Sequence, residues 1–308
     1  MNNNILILGG GGFIGKALIE RLSGISPEIH VVSPHPVHYD QINVHFHLGN
    51  LDNKIVLGNT LPKCDIIIHL ASTTTPGDSL DDPTIEVEQN ILPTVRLLDY
   101  LSKYRNKYLI YFSSGGAIYR SSDKPIQELD PKNPLSYYGV GKLSIEHFLN
   151  TFSQLHQHKT TILRPSNIYG PGHSPRKGFG LIHTVLRNIE SKKLISIWGD
   201  GEIIRDYTYI DDITDLIVSL IEHSPPSGTF NVGSNKGYSI NDIISICQTV
   251  SRITAEVQYI PQRPIDIKSV ILDSSSIYSA IGWKAKTSLE SGIRATWDWI
   301  HNKPPKTR

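Results

Sequence analysis

Four consecutive glycines, Gly9 to Gly12, stand between the apolar run Ile5–Leu8 and a stretch in which Ile14, Leu18 and Leu22 recur at helical spacing. The order is strand, tight turn, helix. Within the turn, Gly9, Gly12 and Gly15 form G-x-x-G-x-x-G. Glycine lets the backbone bend sharply and approach a bulky anion, and the helix that follows offers free N–H groups and the positive end of its dipole. Placed after a first strand, such a loop reads as a dinucleotide site with the pyrophosphate over the helix N-terminus. Further apolar runs follow at Ile29–Val32, Val44–Leu48 and Asp65–Ala71, with helical stretches between them. This alternation predicts an α/β fold whose doubly wound parallel sheet is covered on both faces, with the ligand outside the carboxyl ends of the strands.

Strand two of a dinucleotide fold ordinarily ends in an Asp or Glu that holds the adenosine ribose hydroxyls. Here it ends in Ser33, followed by Pro34 and His35. No carboxylate excludes a 2′-phosphate and no arginine stands there to receive one. The choice between NAD and NADP therefore stays open on these residues.

A chain of 308 residues can bury a large core and is long enough for two domains. Its 30 Lys and Arg against 29 Asp and Glu leave no excess charge to draw it to nucleic acid or a membrane surface. The 13 histidines are scattered. Neither His35 with His38 nor His45 with His47 has a Cys or carboxylate partner at metal spacing, so no metal is expected. Cys64 and Cys247 are too far apart for a redox motif or a disulfide framework, which fits a reducing, cytoplasmic setting. The opening MNNNILILGG has no basic region before a long apolar run, so neither a signal peptide nor a membrane span is expected.

The stretch NPLSYYGVGKLS, Asn133 to Ser144, carries two adjacent tyrosines and one lysine. If a helix opens after Pro134, residues four apart share a face, which pairs Tyr138 with Lys142 and Tyr137 with Gly141. An ammonium beside a phenol stabilises the phenolate, so the Tyr138 pKa is expected to fall toward neutrality. That would make Tyr138 a usable proton donor and acceptor.

Together with YLIYFSSGGAIYR at Tyr108–Arg120, these motifs resemble the extended short-chain dehydrogenase/reductase family, in particular its nucleotide-sugar epimerases and dehydratases. The resemblance extends to about Trp299 and includes HLAS at His69–Ser72, RPSNIYGPG at Arg164–Gly172 and IWGDGEIIRDYTYIDD at Ile197–Asp212. It implies a Rossmann-type sheet over residues 1–165, with a returning segment near 205–222. A smaller, interleaved substrate domain is expected over 166–302, followed by a frayed tail at 303–308. It implies Tyr138 as acid and base, Lys142 as the residue that lowers its pKa and binds the nicotinamide ribose, and Asn90 as a support for Lys142 through water. The usual catalytic hydroxyl falls at Gly115, so Ser114 is expected to replace it, with Ser113 as the alternative.

Cofactor contacts are implied at Gly9, Gly12, Phe13, Ile14, Gly15, Ser33, Asn50, Leu51, Leu70, Ala71, Ser72, Tyr138, Lys142 and Pro165. Asn167, Arg205, Arg263 and Asp266, with Ser114, are the expected contacts to a nucleotide-diphosphate sugar, and Arg176 and Lys177 could add charge at the same mouth. Guanidinium groups suit a diphosphate because their planar donors meet its oxygens in pairs. Trp198 and Tyr209 read as packing residues, and Pro93 predicts a bend in its helix. Related dehydratases need an Asp-Glu pair after the catalytic hydroxyl, whereas Gly116 and Ala117 stand here, which disfavours elimination. The implied activity is NAD-dependent 4-epimerisation of a UDP-hexose or UDP-N-acetylhexosamine through a 4-keto intermediate, by a homodimer of the UDP-glucose 4-epimerase-like branch. The alternative is an NAD(P)H-dependent nucleotide-sugar reductase or dehydrogenase, which Ser33 keeps open, and a third reading is a non-catalytic nucleotide-binding regulator.

Overall fold

The computed structural model describes residues 3–77, 82–173, 180–223, 227–261 and 267–302. Its main sheet is built from β1 (Ile5–Leu8), β2 (Ile29–Ser33), β3 (Val44–Leu48), β4 (Ile66–His69), β5 (Tyr108–Phe112) and β6 (Lys159–Pro165). The chain then runs through β7 (Asn167–Tyr169), β8 (Ile195–Trp198) and β9 (Ile204–Tyr209) before β10 (Gly228–Val232) joins the sheet at its far edge. The order is β10-β6-β5-β4-β1-β2-β3, and every neighbouring pair is parallel. The chain therefore steps outward from β1 in both directions, as in a doubly wound sheet.

Alternation along β1 shows how both faces are filled. Ile5 and Ile7 point into one core and Leu6 and Leu8 into the other. The first core lies under α1 (Phe13–Ser23) and α8 (Ile210–His223), through Leu18, Ile19 and Leu22 and through Ile213, Leu216, Ile217 and Leu220. The second lies under α2 (Lys54–Thr60), α4 (Leu92–Leu101) and α6 (Tyr137–His156), through Leu57, Leu97, Leu101, Ile145 and Leu149. A strand buried on both sides has no solvent-facing alternate, which is why β1 reads as unbroken aliphatic sequence.

Pro93 lies just beyond an irregular turn in a helix that otherwise runs on from Pro83 to Leu101. A short α3 (Pro83–Glu86) passes into a π-helical turn, Val87–Ile91, and Pro93 lies in the first turn of α4. Glu86, Ile91 and Leu92 all keep helical dihedrals, so the irregularity is the π-helical turn that carries Asn90, immediately before the proline.

The remaining elements form a second lobe. Strand β9 pairs with β7, with β11 (Gly237–Ser239) and with β13 (Ser269–Val270), while β8 pairs with β12 (Val257–Ile260). Helices α7 (Leu181–Glu190), α9 (Ile240–Ser251) and α11 (Leu289–His301) enclose a separate core containing Val185, Leu186, Ile243, Cys247 and Ile293. A reciprocal capping box between Ser239 and Asp242 starts α9. Short α5 (Gly115–Ile118) and α10 (Ser275–Ile281) complete the described elements.

Two acids of the motif RDYTYIDD are spent on joining segments. Buried Asp206 accepts from Ser234 N, Ser234 Oγ and Leu272 N. Asp212 accepts from Lys286 N and Thr287 N. Tyr209 is buried in the second core, whereas Trp198, expected as a packing residue, is 45% exposed and belongs to the surface.

Beneath the sheet edge, Arg164 on β6 and Glu146 on α6 form a buried pair, with Nη2 to Oε2 at 2.6 Å. Arg164 also donates to the Tyr119 hydroxyl and to the Glu128 carbonyl, so its fork is well filled. Removing one partner of such a pair leaves an uncompensated charge. Arg164→Leu is expected to lower unfolding stability by about 3–5 kcal/mol, measured by urea titration; a loss under ~1 kcal/mol would show that the pair does not hold this part of the fold together.

Candidate active site

Ser136 caps α6 by accepting from Gly139 N, so the helix begins at Tyr137. Tyr138 and Lys142 then stack on its inner face, while Tyr137 is 44% exposed. Lys142 is buried and donates from Nζ to the carbonyl of Phe112, the last residue of β5, at 2.9 Å. The same ammonium lies 5.1 Å from the Tyr111 ring centroid and 5.6 Å from that of Tyr138, within cation–π range of both.

The two serines after β5 face opposite ways. Ser113 is buried and donates to Glu146 Oε1, joining the Arg164 pair. Ser114 makes a side-chain hydrogen bond with the Tyr138 phenol, of the sense that favours the phenolate. Gly115 has no room for a hydroxyl-bearing side chain, because a Cβ there would lie 2.6 Å from the Leu272 side chain and 3.1 Å from the Arg164 carbonyl oxygen. The only hydroxyl of SSGG that meets Tyr138 is that of Ser114.

The expected fall of the Tyr138 pKa toward neutrality does not occur in this structure. Burial pushes the phenol up to about 12, the Ser114 bond opposes this, and the Glu86 carboxyl adds to it. Burial also brings Lys142 down to about 8, against the pull of Glu86 and Glu146. Desolvation penalises both charged forms at once, which four-residue spacing cannot reveal.

Asn90 holds the loop after β4. Its Oδ1 accepts from Thr73 N at 2.9 Å and from Thr73 Oγ1, and its Nδ2 donates to Thr74 Oγ1 at 2.9 Å. Its own carbonyl accepts from Thr94 Oγ1, which in turn meets buried His69. Burial and the nearby Lys142 push His69 down to about 3, so it is neutral. Glu86, buried one helical turn before Asn90, accepts from Thr74 Oγ1. Sequence reasoning passed over Glu86 and Thr74, although the four-residue spacing of Glu86 and Asn90 was a signal that they share a face.

The glycine loop is shaped as a cradle. Gly9 has φ +87°, and a Cβ there would be 2.8 Å from the Ala71 backbone. Gly15 packs so closely on Gly10 that a Cβ would lie 2.5 Å from its backbone. No side chain caps α1 at Gly12, leaving the helix start open toward the carboxyl edge of the sheet. Phe13 stacks on His173 at 4.6 Å, with Ile14 and Gly15 behind it. Ser33 closes β2 beneath the loop, where a Cβ on Gly11 would be 2.7 Å from its Oγ. Asn50 and Leu51 follow β3, Leu70, Ala71 and Ser72 follow β4, and buried Pro165 ends β6, so all lie along one sheet edge. The residues fit a dinucleotide.

In the second lobe, Asn167 on β7 donates to the Asp206 carbonyl and is in register with Tyr207, two residues from Arg205 on β9. The Arg205 guanidinium donates to the Ile204 carbonyl at 2.8 Å. Arg263, Asp266, Arg176 and Lys177 lie outside the described residues.

The sequence model of the NAD dependent epimerase/dehydratase family matches residues 5–233, from β1 to just past β10. A UDP-glucose 4-epimerase of Streptococcus mutans is 29% identical, over 98% of this chain and 98% of its own. The structure of Thermotoga maritima UDP-glucose 4-epimerase with UDP-glucose has a TM-score of 0.90 to this chain at 28% identity, covering 97% of this chain and 98% of that one. UDP-glucuronic acid 4-epimerase from Bacillus cereus, solved with UDP-glucuronic acid and NAD, gives 0.89 at 26% identity over 97% and 99%. A family match over the whole main sheet, on a chain that carries the glycine cradle and the Tyr138–Lys142 pair at its carboxyl edge, places this protein in the NAD-dependent epimerase/dehydratase family.

Proposed function

We propose that this chain is a nucleotide-sugar 4-epimerase acting on a UDP-hexose or UDP-N-acetylhexosamine. The observation that carries the reading is the hydroxyl of Ser114 on the Tyr138 phenol, with Lys142 one turn along the same helix. As phenolate, Tyr138 takes the proton of the sugar 4-hydroxyl, and Ser114 bonds the same oxygen. Bound NAD supplies the acceptor and donor of the C4 hydride. Lys142 holds positive charge beside the phenolate before that proton arrives and again after Tyr138 has returned it to the 4-oxygen. Gly116 and Ala117 provide no acid or base after Ser114, so water elimination has no paired catalyst. The names of the relatives support the same reaction and the uridine nucleotide.

Residues 1–165, with a returning segment near 205–222 of which α8 packs on the main sheet and β9 pairs in the second lobe, serve the dinucleotide, and residues 166–302 serve mainly the sugar nucleotide, with Asn167, Arg205, Arg263 and Asp266 as its contacts. Exposed Val87 and Leu92 on one helical segment and Val140, Phe148 and Leu155 on α6 support a homodimer through these two segments, since apolar side chains this concentrated favour a covered face. No helix among the described residues is long and apolar enough to cross a membrane. Cys64 and Cys247 are free and buried, in keeping with a cytoplasmic setting.

The direct test is proton NMR of the purified protein with UDP-glucose and with UDP-N-acetylglucosamine, without added cofactor. A galacto anomeric signal is expected, and Tyr138→Phe should lower its rate of appearance by about 10²–10⁴-fold. No epimer from either sugar, even with NAD+ added, would refute the assignment. Ser33→Asp would place an acceptor where the ribose hydroxyls are expected and repel a 2′-phosphate. It should raise the preference for NAD over NADP by about 10–100-fold in calorimetric Kd values; an unchanged ratio would show that the ribose is not held there. Phe148→Glu should convert a dimer to a monomer in light scattering, and a monomeric parent protein would dismiss that interface.

A further inference from the structure

Glu86 is 2% exposed, and its two carboxyl oxygens have different fates. Oε2 accepts from the Thr74 hydroxyl at 2.5 Å, whereas Oε1 is buried without a hydrogen-bond partner. The carboxyl presses on α6 at Gly141, where a Cβ would lie 2.1 Å from Oε1. Gly141 stands between Tyr138 and Lys142 in sequence, so the opening that admits the carboxyl is cut into the catalytic helix itself. A buried carboxyl with one bare oxygen is costly unless a charge nearby answers it. The titratable groups that act on it or feel it are Lys142 and Tyr138 from α6 and Tyr111 from β5. Burial raises the Glu86 pKa, while the hydrogen bonds of Thr74 and Asn90, both neutral, and the charge of Lys142 favour the carboxylate. Glu146, the other acid that acts on Lys142, is already paired with Arg164.

We propose that Glu86 is a positioning residue for the Tyr138–Lys142 pair: its carboxylate, seated in the opening at Gly141, is the counter-charge that keeps the Lys142 ammonium charged and sets the pH range in which the pair works. This rests on the epimerase reading above. The sign follows from the charges. A carboxylate makes the proton on both Tyr138 and Lys142 harder to remove. Withdrawing it lowers both macroscopic ionisations of the pair, so the acid and alkaline limbs of kcat/KM move to lower pH together.

Glu86→Gln keeps the bulk and an acceptor for Thr74 while removing the charge. The holoenzyme carrying it should show a several-fold higher ratio of kcat/KM on the acid side to that on the alkaline side, with bound NAD content unchanged. Glu86→Asp, which retains the charge, should leave that ratio near the parent value. Thr74→Val withdraws the hydrogen bond that favours the charged carboxyl and should shift the limbs in the same direction as Glu86→Gln, which keeps the test open if Glu86→Gln folds poorly. A uniform loss at every pH, or limbs that do not move, would overturn the proposal in favour of simple packing. Should the parent protein epimerise no sugar, the function assignment fails alone. The tyrosinate ultraviolet titration of holoprotein, taken as a difference from its Tyr138→Phe counterpart, then decides: movement to lower pH with Glu86→Gln supports the role, and no movement refutes it.

Discussion

The Lys142 ammonium, held by the carbonyl at the end of β5, is the contact around which the site is arranged. A buried cation needs its donors filled and its helix close to the sheet edge. Two glycines allow that approach: a Cβ at Gly139 would meet the Ala117 carbonyl oxygen, and one at Gly141 would meet Glu86. Once α6 is seated at this depth, Tyr138 faces the loop after β5 and Ser114 falls against its phenol. Geometry that looks like a property of three side chains is thus set by what is missing from the helix between them.

The loop after β5 sorts its serines by what lies on either side. The Arg164–Glu146 pair takes Ser113 inward. Leu272, held by Asp206 through its backbone N–H, fills the space at Gly115. Ser114 is left facing Tyr138. The segment just after β13 therefore takes part in selecting the hydroxyl presented to the phenol, although it contributes no reacting group.

Much of this was legible in the sequence because it depends on spacing. The aliphatic run at Ile5–Leu8, the glycines after it and the later strands each carry a local pattern, and the parallel sheet follows from their alternation. The four-residue step from Tyr138 to Lys142 is likewise a property of one helix. What spacing could not convey was desolvation, which raises the Tyr138 pKa although an ammonium stands beside it. Nor could it show where Pro93 would act, because the π-helical turn before it responds to tertiary packing as well as to the proline. Asp206 and Asp212 looked like parts of a functional motif, yet they accept from backbone N–H groups far along the chain and, for Asp206, from the Ser234 hydroxyl as well. Glu86 escaped notice because its importance depends on Gly141, more than fifty residues away.

The place of β10 at the far edge of the main sheet has a consequence for biosynthesis. Its parallel partner β6 ends at Pro165, and the second lobe begins before β10 is made. A nascent chain therefore carries an open β6 edge through the synthesis of more than sixty further residues, a pairing surface of the kind that recruits the wrong strand. α8, which covers the first core, also emerges late. The main sheet cannot finish before the second lobe has started, so the ribosome delivers the two lobes interleaved, and a truncation placed between them would release a sticky, half-covered sheet.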